Sequence, residues 1–344
     1  MKRRYPSLTS LLFEQEEKDK NDDGKSKISK DAVKKVQKEM PKIDDGPTEM
    51  LKFLNGPGAD PKVRAVLDVG TKDGSEEDEK AQPKLSSPKI GDLIPTQIEI
   101  ELTKSISFPL AKFKAYKSMM SGGTQKIGPP GNDHIVINGD LIVDGHHRWS
   151  SLFSVTGPDG QIAAYDIGLS EKSAPAVLAA VQVGIAASMK DGSKLPAAKA
   201  GGKNILGLDK DQLKQLIEGA VGESTEAGEI LTDEFVQSCI EDPAVSKHIG
   251  IKSGAKVDDA RKAIIEKTAD NLSKMNQPAS GSPPRLDMPQ LDKAEGGVAG
   301  VIKDLSAGNV NYKPPFIPAK KESISRKDFA ILERWNRLAG LIED

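Results

Sequence analysis

The sequence predicts an α+β protein with a small mixed-sheet domain, a helical C-terminal region and disordered linkers. Three observations carry this. Hydrophobic residues make up 37% of the 344-residue chain and aromatics 4%, against 29% charged residues, with 32 glycines and 22 prolines. An average soluble domain is about 45–50% apolar. Long polar tracts cannot bury enough apolar surface to offset the entropy of ordering, so modest cores joined by solvated segments are expected. Second, residues 90–167 hold short apolar runs punctuated by turn residues, as strands do. Third, apolar residues from 174 onward recur at helical spacing.

Residues 1–86 are expected to form a partly disordered arm. Leu8, Leu11, Leu12 and Phe13 form either one amphipathic turn for a partner or a fraying terminus. Helical spacing predicts short, weakly packed helices over 31–40, 49–54 (capped by Thr48) and 60–67. The acidic stretch 71–87 reads as a linker.

Residues 87–170 are expected to form the sheet domain. Ile98, Ile100 and Leu102 alternate with polar residues and predict a half-buried strand. A helix over 109–120 is stopped by Ser121-Gly122-Gly123. Ile135-Val136-Ile137 and Leu141-Ile142-Val143 flank Asn138-Gly139-Asp140, a strong hairpin signal. A helix over 149–155, a Gly157-Pro158-Asp159-Gly160 turn and a strand over 161–167 follow. Trp149 is read as a core anchor for that helix rather than a base-stacking ring.

Residues 171–276 are expected to be helical. The run 174–189 is apolar almost all round, so it must be buried. A Gly/Ala/Lys loop over 190–203 reads as a solvated linker and lacks the P-loop pattern. Further helices are predicted over 209–221, 232–240 and 257–275. Residues 277–344 comprise a linker over 278–289, a short helix over 291–305 and a C-terminal helix over 325–342. Ile331, Trp335, Leu338 and Ile342 on that last helix offer a face for its own domain or a partner.

Composition narrows the function classes. A formal net charge of −2 gives no global pull toward nucleic acid. Cys239 is the only cysteine, so no intramolecular disulfide and no multi-cysteine metal site can form. Its apolar neighbours predict a buried, inert thiol. No stretch approaches about 18 apolar residues, so no membrane span or membrane partner is expected. The N-terminus lacks an apolar signal core, which points to the cytoplasm.

Chemistry concentrates at Asp144-Gly145-His146-His147-Arg148. Here a strand ends, a glycine follows and a helix starts. The first turn of a helix leaves backbone N–H groups unpaired, and its dipole adds partial positive charge. Together they attract anions, phosphate above all. Arg148 suits bidentate phosphate recognition. His146 and His147 are candidate proton-transfer groups, but adjacent helical residues diverge by roughly 100°, so only one can point into a given site. Asp144 can orient a histidine, hold Mg²⁺ together with ligand phosphates, or simply cap the helix.

The order strand, helix, hairpin, Asp-Gly-His-His-Arg, helix, strand resembles the ParB/sulfiredoxin superfamily. It is closest to the ParB-like nuclease group, whose motif is Asp-Gly-His-His-Arg after a strand. Ile90-Gly91-Asp92-Leu93-Ile94-Pro95-Thr96-Gln97 resembles that group's lead-in segment, which carries a Pro-Thr-Gln. The likeness covers only the 87–170 segment. It implies that Gly145, His146, His147 and Arg148 hold phosphate, with Lys104 and Ser105 near them. The residues themselves offer His146 or His147 to move a proton in catalysis, and Asp144 to position that histidine or to hold a metal ion. Implied cofactors are Mg²⁺ and a nucleoside triphosphate. The implied partner is a nucleotide or nucleic acid, while the apolar spacing of the N-terminal turn and the C-terminal helix offers a protein partner. A sulfiredoxin is disfavoured because the motif has no cysteine. A partition protein is disfavoured because no basic recognition helix follows. The leading expectation is phosphate or nucleotide binding, extending to phosphodiester hydrolysis. The alternatives are a non-catalytic, virion-associated phage protein in a particle, or host cytoplasm, and a nucleotide-dependent small-molecule kinase.

Overall fold

A computed structural model describes residues 28–70, 80–199, 201–314 and 316. The turn expected at 8–13 and the helix expected at 325–342 lie outside them. In chain order, helices α1 (Lys30–Glu39), α2 (Pro47–Asn55) and α3 (Pro61–Leu67) precede strands β1 (Lys84–Ser86) and β2 (Ile94–Pro95). Helices α4 (Leu102–Ala111) and α5 (Phe113–Met120) and strand β3 (Thr124–Gln125) follow. Next come β4 (Ile135–Asn138), β5 (Leu141–Asp144), α6 (His146–Thr156), β6 (Gln161–Ile162) and β7 (Ala164–Asp166). The remainder is α7 (Ala174–Ser188), α8 (Lys210–Glu218), the small hairpin β8 (Ser224–Thr225) and β9 (Gly228–Glu229), α9 (Asp233–Glu241), α10 (Pro243–Ile249), α11 (Val257–Leu272) and α12 (Gly297–Ser306).

The α+β class and the hairpin hold. Five strands form a mixed sheet in the order β1-β7-β4-β5-β2. β4 and β5 pair antiparallel, whereas β4–β7 and β2–β5 pair parallel. The hairpin strands are buried along nearly their whole length. Because side chains alternate across a strand, the hairpin feeds two cores. Val136, Leu141 and Val143 join α1, α2, α3, α7 and α12 on one face. Ile135, Ile137 and Ile142 join α4, α5, α6 and α8 to α11 on the other. A sheet covered on both faces explains why the apolar runs here are continuous rather than alternating. Trp149 is fully buried, and its indole N–H donates to the Ile90 carbonyl at 2.8 Å. Cys239 is buried, and burial pushes its thiol up to about 12. No described helix is long and apolar enough to cross a membrane.

Several expectations are corrected. The alternation at Ile98, Ile100 and Leu102 is not a strand. The backbone there is satisfied by a loop, with the Ile100 N–H on Asn204 Oδ1 at 2.8 Å and the Leu102 N–H on the Lys203 carbonyl at 2.8 Å. Leu102 opens α4, and the sheet strand lies earlier, at β2. The single helix expected over 109–120 is two helices broken at Lys112, whose φ of −125° and ψ of 97° are extended. Thr48 caps nothing: Gly46 is the cap of α2, and the Thr48 hydroxyl donates to Asp287 Oδ2 at 2.6 Å. The strand expected over 161–167 is divided between β6 and β7, which belong to different sheets. The N-terminal helices are firmly packed, with Val36, Met50, Leu54, Val63 and Leu67 buried in the first core.

Two expected linkers are also ordered structure. Residues 84–86 form edge strand β1, paired antiparallel with β7. Residues 278–289 form a strap fastened across the sheet domain. The Ala279 N–H donates to the Pro95 carbonyl at 2.9 Å, the Ile98 N–H to the Pro283 carbonyl at 3.2 Å, and Gln182 Nε2 to the Asp287 carbonyl at 2.7 Å. Buried Met288, with buried Leu291 just beyond the strap's end, supplies its apolar anchor. The Lys-rich loop is likewise packed at Leu195 and Ala198, and Lys190 pairs with Asp68 at 2.8 Å. The compositional segments therefore do not each hold a core of their own.

Ile142 is fully buried, whereas Ile98 is 43% exposed. Ile142→Ala is expected to lower unfolding stability by about 2–5 kcal/mol, and Ile98→Ala by no more than about 0.5 kcal/mol. Urea denaturation of both variants checks this.

Candidate functional site

The motif sits where β5 gives way to α6. Gly145 has φ 97° and ψ 22°, a left-handed conformation that only glycine adopts freely. A Cβ there would also lie 2.5 Å from Ile135 Cγ2. The first intrahelical bond runs from the Trp149 N–H to the Gly145 carbonyl at 2.9 Å. The amides of His146, His147 and Arg148 precede it and have no intrahelical acceptor. The same three residues line a cavity of about 410 Å³, together with the rest of the motif, Gln97, the 128–132 loop and the strap.

The motif's side chains divide sharply. His146 is 5% exposed, and its Nε2 accepts the Thr96 N–H at 3.0 Å. Thr96 in turn donates its hydroxyl to the Ile142 carbonyl. The Pro-Thr-Gln segment and the Asp-Gly-His-His-Arg segment are thus bonded to each other. Burial first, then His147 and Arg285, lower the His146 pKa to about 3. With its lone pair committed to Thr96, this neutral ring fastens two segments rather than moving a proton.

Arg148 is also turned inward. Its Nη1 donates to the Asn132 carbonyl at 2.9 Å, to Asn132 Oδ1 at 3.2 Å and to the His134 carbonyl at 2.6 Å. Its Nη2 donates to Asp144 Oδ2 at 2.7 Å. The guanidinium pins the 128–132 loop. Burial raises the Asp144 pKa, opposed by Arg148 and reinforced by Asp292 across the cavity.

His147 faces the opening. Its Nε2 lies 3.0 Å from Arg285 Nη1 and 3.4 Å from the Glu101 backbone N. Both neighbours are donors, so Nε2 is the acceptor and the proton sits on Nδ1. Burial, then Arg285 and Lys104, lower its pKa to about 3.

Lys104 and Ser105 lie in the first turn of α4 and not at a strand end. Lys104 pairs with Glu101 at 2.9 Å and borders the outer side of His147. Ser105 is fully buried, donates to the Glu101 carbonyl at 2.7 Å and accepts from the Ser150 hydroxyl at 2.7 Å. It joins α4 to α6 and is out of reach of any ligand in the cavity.

Three residues were missed. Gln97 is 4% exposed, lines the cavity, and its Nε2 has no hydrogen-bond partner. Arg285 comes from the strap and stands 3.6 Å from Glu101. Asp292 adds a second carboxylate to the cavity wall. Gln97 was legible as the last residue of the Pro-Thr-Gln segment. Arg285 and Asp292 carried no signal, because nothing local ties the strap to the motif.

Comparison with protein-family models, curated proteins and solved structures gives no match.

The folded His146 value lies below the roughly 6.5 of an unfolded imidazole, so the unfolded chain binds the proton first. Its contribution is present above about pH 6.5 and lost as pH falls toward 3. Between pH 7 and pH 5 the protein should lose about 1–2 kcal/mol that His146→Gln does not lose, since a glutamine carbonyl can still accept from Thr96. Denaturant titrations of both proteins at the two pH values measure the difference.

Proposed function

We propose that the chain binds a phosphate-bearing ligand, a nucleotide or a nucleic-acid phosphodiester, in the cavity at the start of α6. The observation that carries this reading is Gln97. Its side-chain N–H₂ is buried without a partner in the wall of the cavity that the open amides of α6 also reach. A buried donor left unmade costs about 1–3 kcal/mol, and a phosphate oxygen would satisfy it. Arg285, bound to a neutral imidazole and only loosely to Glu101, is the cation best placed to turn onto the same anion. The resemblance to the ParB/sulfiredoxin superfamily supports phosphate at this helix start.

Hydrolysis, where it follows binding, falls to His147. Once Arg285 turns to the phosphate, Nε2, left with only the Glu101 N–H at 3.4 Å, takes a proton from attacking water as its oxygen bonds to phosphorus; the P–O bond to the leaving oxygen breaks, and the departing alkoxide takes a proton from solvent. Among the described residues no group of three or more histidine, cysteine or acidic side chains gathers to hold a metal. Asp144 and Asp292 both line the cavity, which suits Mg²⁺ held mainly by ligand phosphates with one or two carboxylates. Such an ion would supply charge neutralisation. On this reading the protein works in the cytoplasm, or in a virion if phage-encoded.

The inward hydrogen bonds of His146 and Arg148 favour a second reading, a structural protein that keeps the motif for its fold. Thermal unfolding of the intact chain with nucleoside triphosphates and short DNA, with and without Mg²⁺, separates the two. A ligand at a hundredfold excess over its Kd should stabilise the fold by about 2.7 kcal/mol, and Arg285→Ala should remove most of that shift. A DNA-dependent shift should shrink as salt is raised; a shift with nucleotide alone favours the kinase class. A folded protein that shifts with none of them is structural.

A further inference from the structure

Among the described residues the exposed large hydrophobic side chains are Leu85, Ile98, Phe108 and Leu286. Single exposed apolar residues are ordinary on a soluble surface, and only a joined patch calls for a partner. Ile98 and Leu286 come together. The Ile98 N–H donates to the Pro283 carbonyl at 3.2 Å, and the Ile98 carbonyl accepts from Asn204 Nδ2 at 3.1 Å, which fixes the residue beside the strap. Leu286 lies further along the strap. With Ile100 and Pro284 it lines a recess of about 310 Å³.

The recess also has a charge. Glu99 and Glu101 both line it. Glu101 is shared between Lys104 at 2.9 Å and Arg285 at 3.6 Å. Gly201 and Gly202 pack directly onto it, since a Cβ on either would stand 3.3 and 3.2 Å from its two carboxylate oxygens. Glu101 is therefore spent within the fold. Glu99 is exposed and has no ion pair among the described residues, so it is the carboxylate that a partner meets.

An occupant of this surface needs apolar side chains, positive charge and few acids. Residues 1–13 meet that description: Lys2, Arg3 and Arg4 are followed by Leu8, Leu11, Leu12 and Phe13, with no acid before Glu14. The C-terminal run fits less well, because Asp328 and Glu333 stand among its apolar residues. Reach is sufficient. As a tether, residues 14–27 span at most about 50 Å, against a radius of gyration of about 19 Å for a compact domain of this length. Ile28 packs on the first core, and α2 of that core bonds the strap through Thr48 and Asp287, next to Leu286. A tethered partner also acts at an effective concentration of roughly millimolar, so a small patch suffices to hold it.

We infer that the surface formed by Ile98, Glu99 and Leu286 is the docking site for residues 2–13 of this same chain. The apolar residues of that segment cover Ile98 and Leu286, and its cations meet Glu99. Seated there, the segment lies against the strap that carries Arg285. The inference does not depend on the phosphate-binding reading.

The test is paramagnetic relaxation in the full chain, spin-labelled at Ser7→Cys, with isoleucine and leucine methyl groups as probes. Cys239 is buried and stays unlabelled. The Ile98 and Leu286 methyl signals should lose most of their intensity. That of Leu85, on β1 at the opposite edge of the sheet from β2, should keep it. Arg3→Glu with Arg4→Glu should restore the two lost signals, and so should Glu99→Lys, which alters an exposed side chain and should leave the methyl signals of both cores in place. The inference is overturned if the label leaves both signals intact, or if bleaching survives both charge reversals. It is overturned as well if a label at Ser325→Cys bleaches them instead. Bleaching in a mixture of spin-labelled, unenriched chain with enriched, unlabelled chain would make the occupant a second copy, and would equally overturn it.

Discussion

The hairpin β4–β5 is buried on both faces, and the rest of the molecule is arranged around that constraint. A strand pair covered on one side only could slide or twist toward solvent. Here Val136, Leu141 and Val143 are locked into one core while Ile135, Ile137 and Ile142 are locked into the other. A register slip of one residue would exchange the two sets, and each core is shaped for its own. The carboxyl end of β5 is therefore held at a fixed height between the layers. Gly145 turns the chain directly from that end into α6, with Ile135 of the same hairpin excluding any Cβ. The open amides of α6 inherit their position from the hairpin rather than from the motif.

That dependence explains what was legible in the sequence. Apolar runs around Asn138-Gly139-Asp140 encode their turn locally, and Ser173, Asp209 and Thr232 cap the helices they precede. Local signals of this kind survive because tertiary packing reinforces them. The Ile98–Leu102 alternation failed because the competing partners, Asn204 and Lys203, lie about a hundred positions away in the chain. The strap failed for a related reason. Its prolines and serines look solvated, yet Met288, with Leu291 just beyond its end, anchors it, and scattered apolar residues in a polar run set no periodicity. Composition measures average burial, and a strap needs only a few anchors.

The motif marks in the sequence the turn that opens on the cavity, but which of its side chains turn inward was not legible. Residue type alone suggests that His146 and Arg148 meet the ligand. In the structure a histidine lone pair and a guanidinium close the Pro-Thr-Gln segment and the 128–132 loop around the helix start. The backbone N–H of Thr96 needs an acceptor in a buried place, and a neutral imidazole supplies one at the cost of a depressed pKa. Sequence does not reveal which polar group faces inward, because that is settled by which orphaned backbone groups lie nearby.

This inward turn also bears on how the site works. An anion-binding helix start functions only if its amides stay open, so nearby cations must not collapse onto nearby carboxylates and cover them. Arg148 and Asp144 satisfy each other to the side at 2.7 Å, and Lys104 takes Glu101 on the outer side. What remains beside the helix start is neutral: an unpartnered amide from Gln97 and an imidazole kept uncharged by burial first and by Arg285 second. Neutral donors in a buried place discriminate by geometry more than by charge, since leaving them unmade is costly and only a correctly placed acceptor relieves it. Arg285 then adds charge from a strap whose fastenings lie on either side of it, at Ala279, Pro283 and Asp287. Recognition built this way suits a compact ligand enclosed between sheet and strap better than an extended polyanion lying across a surface.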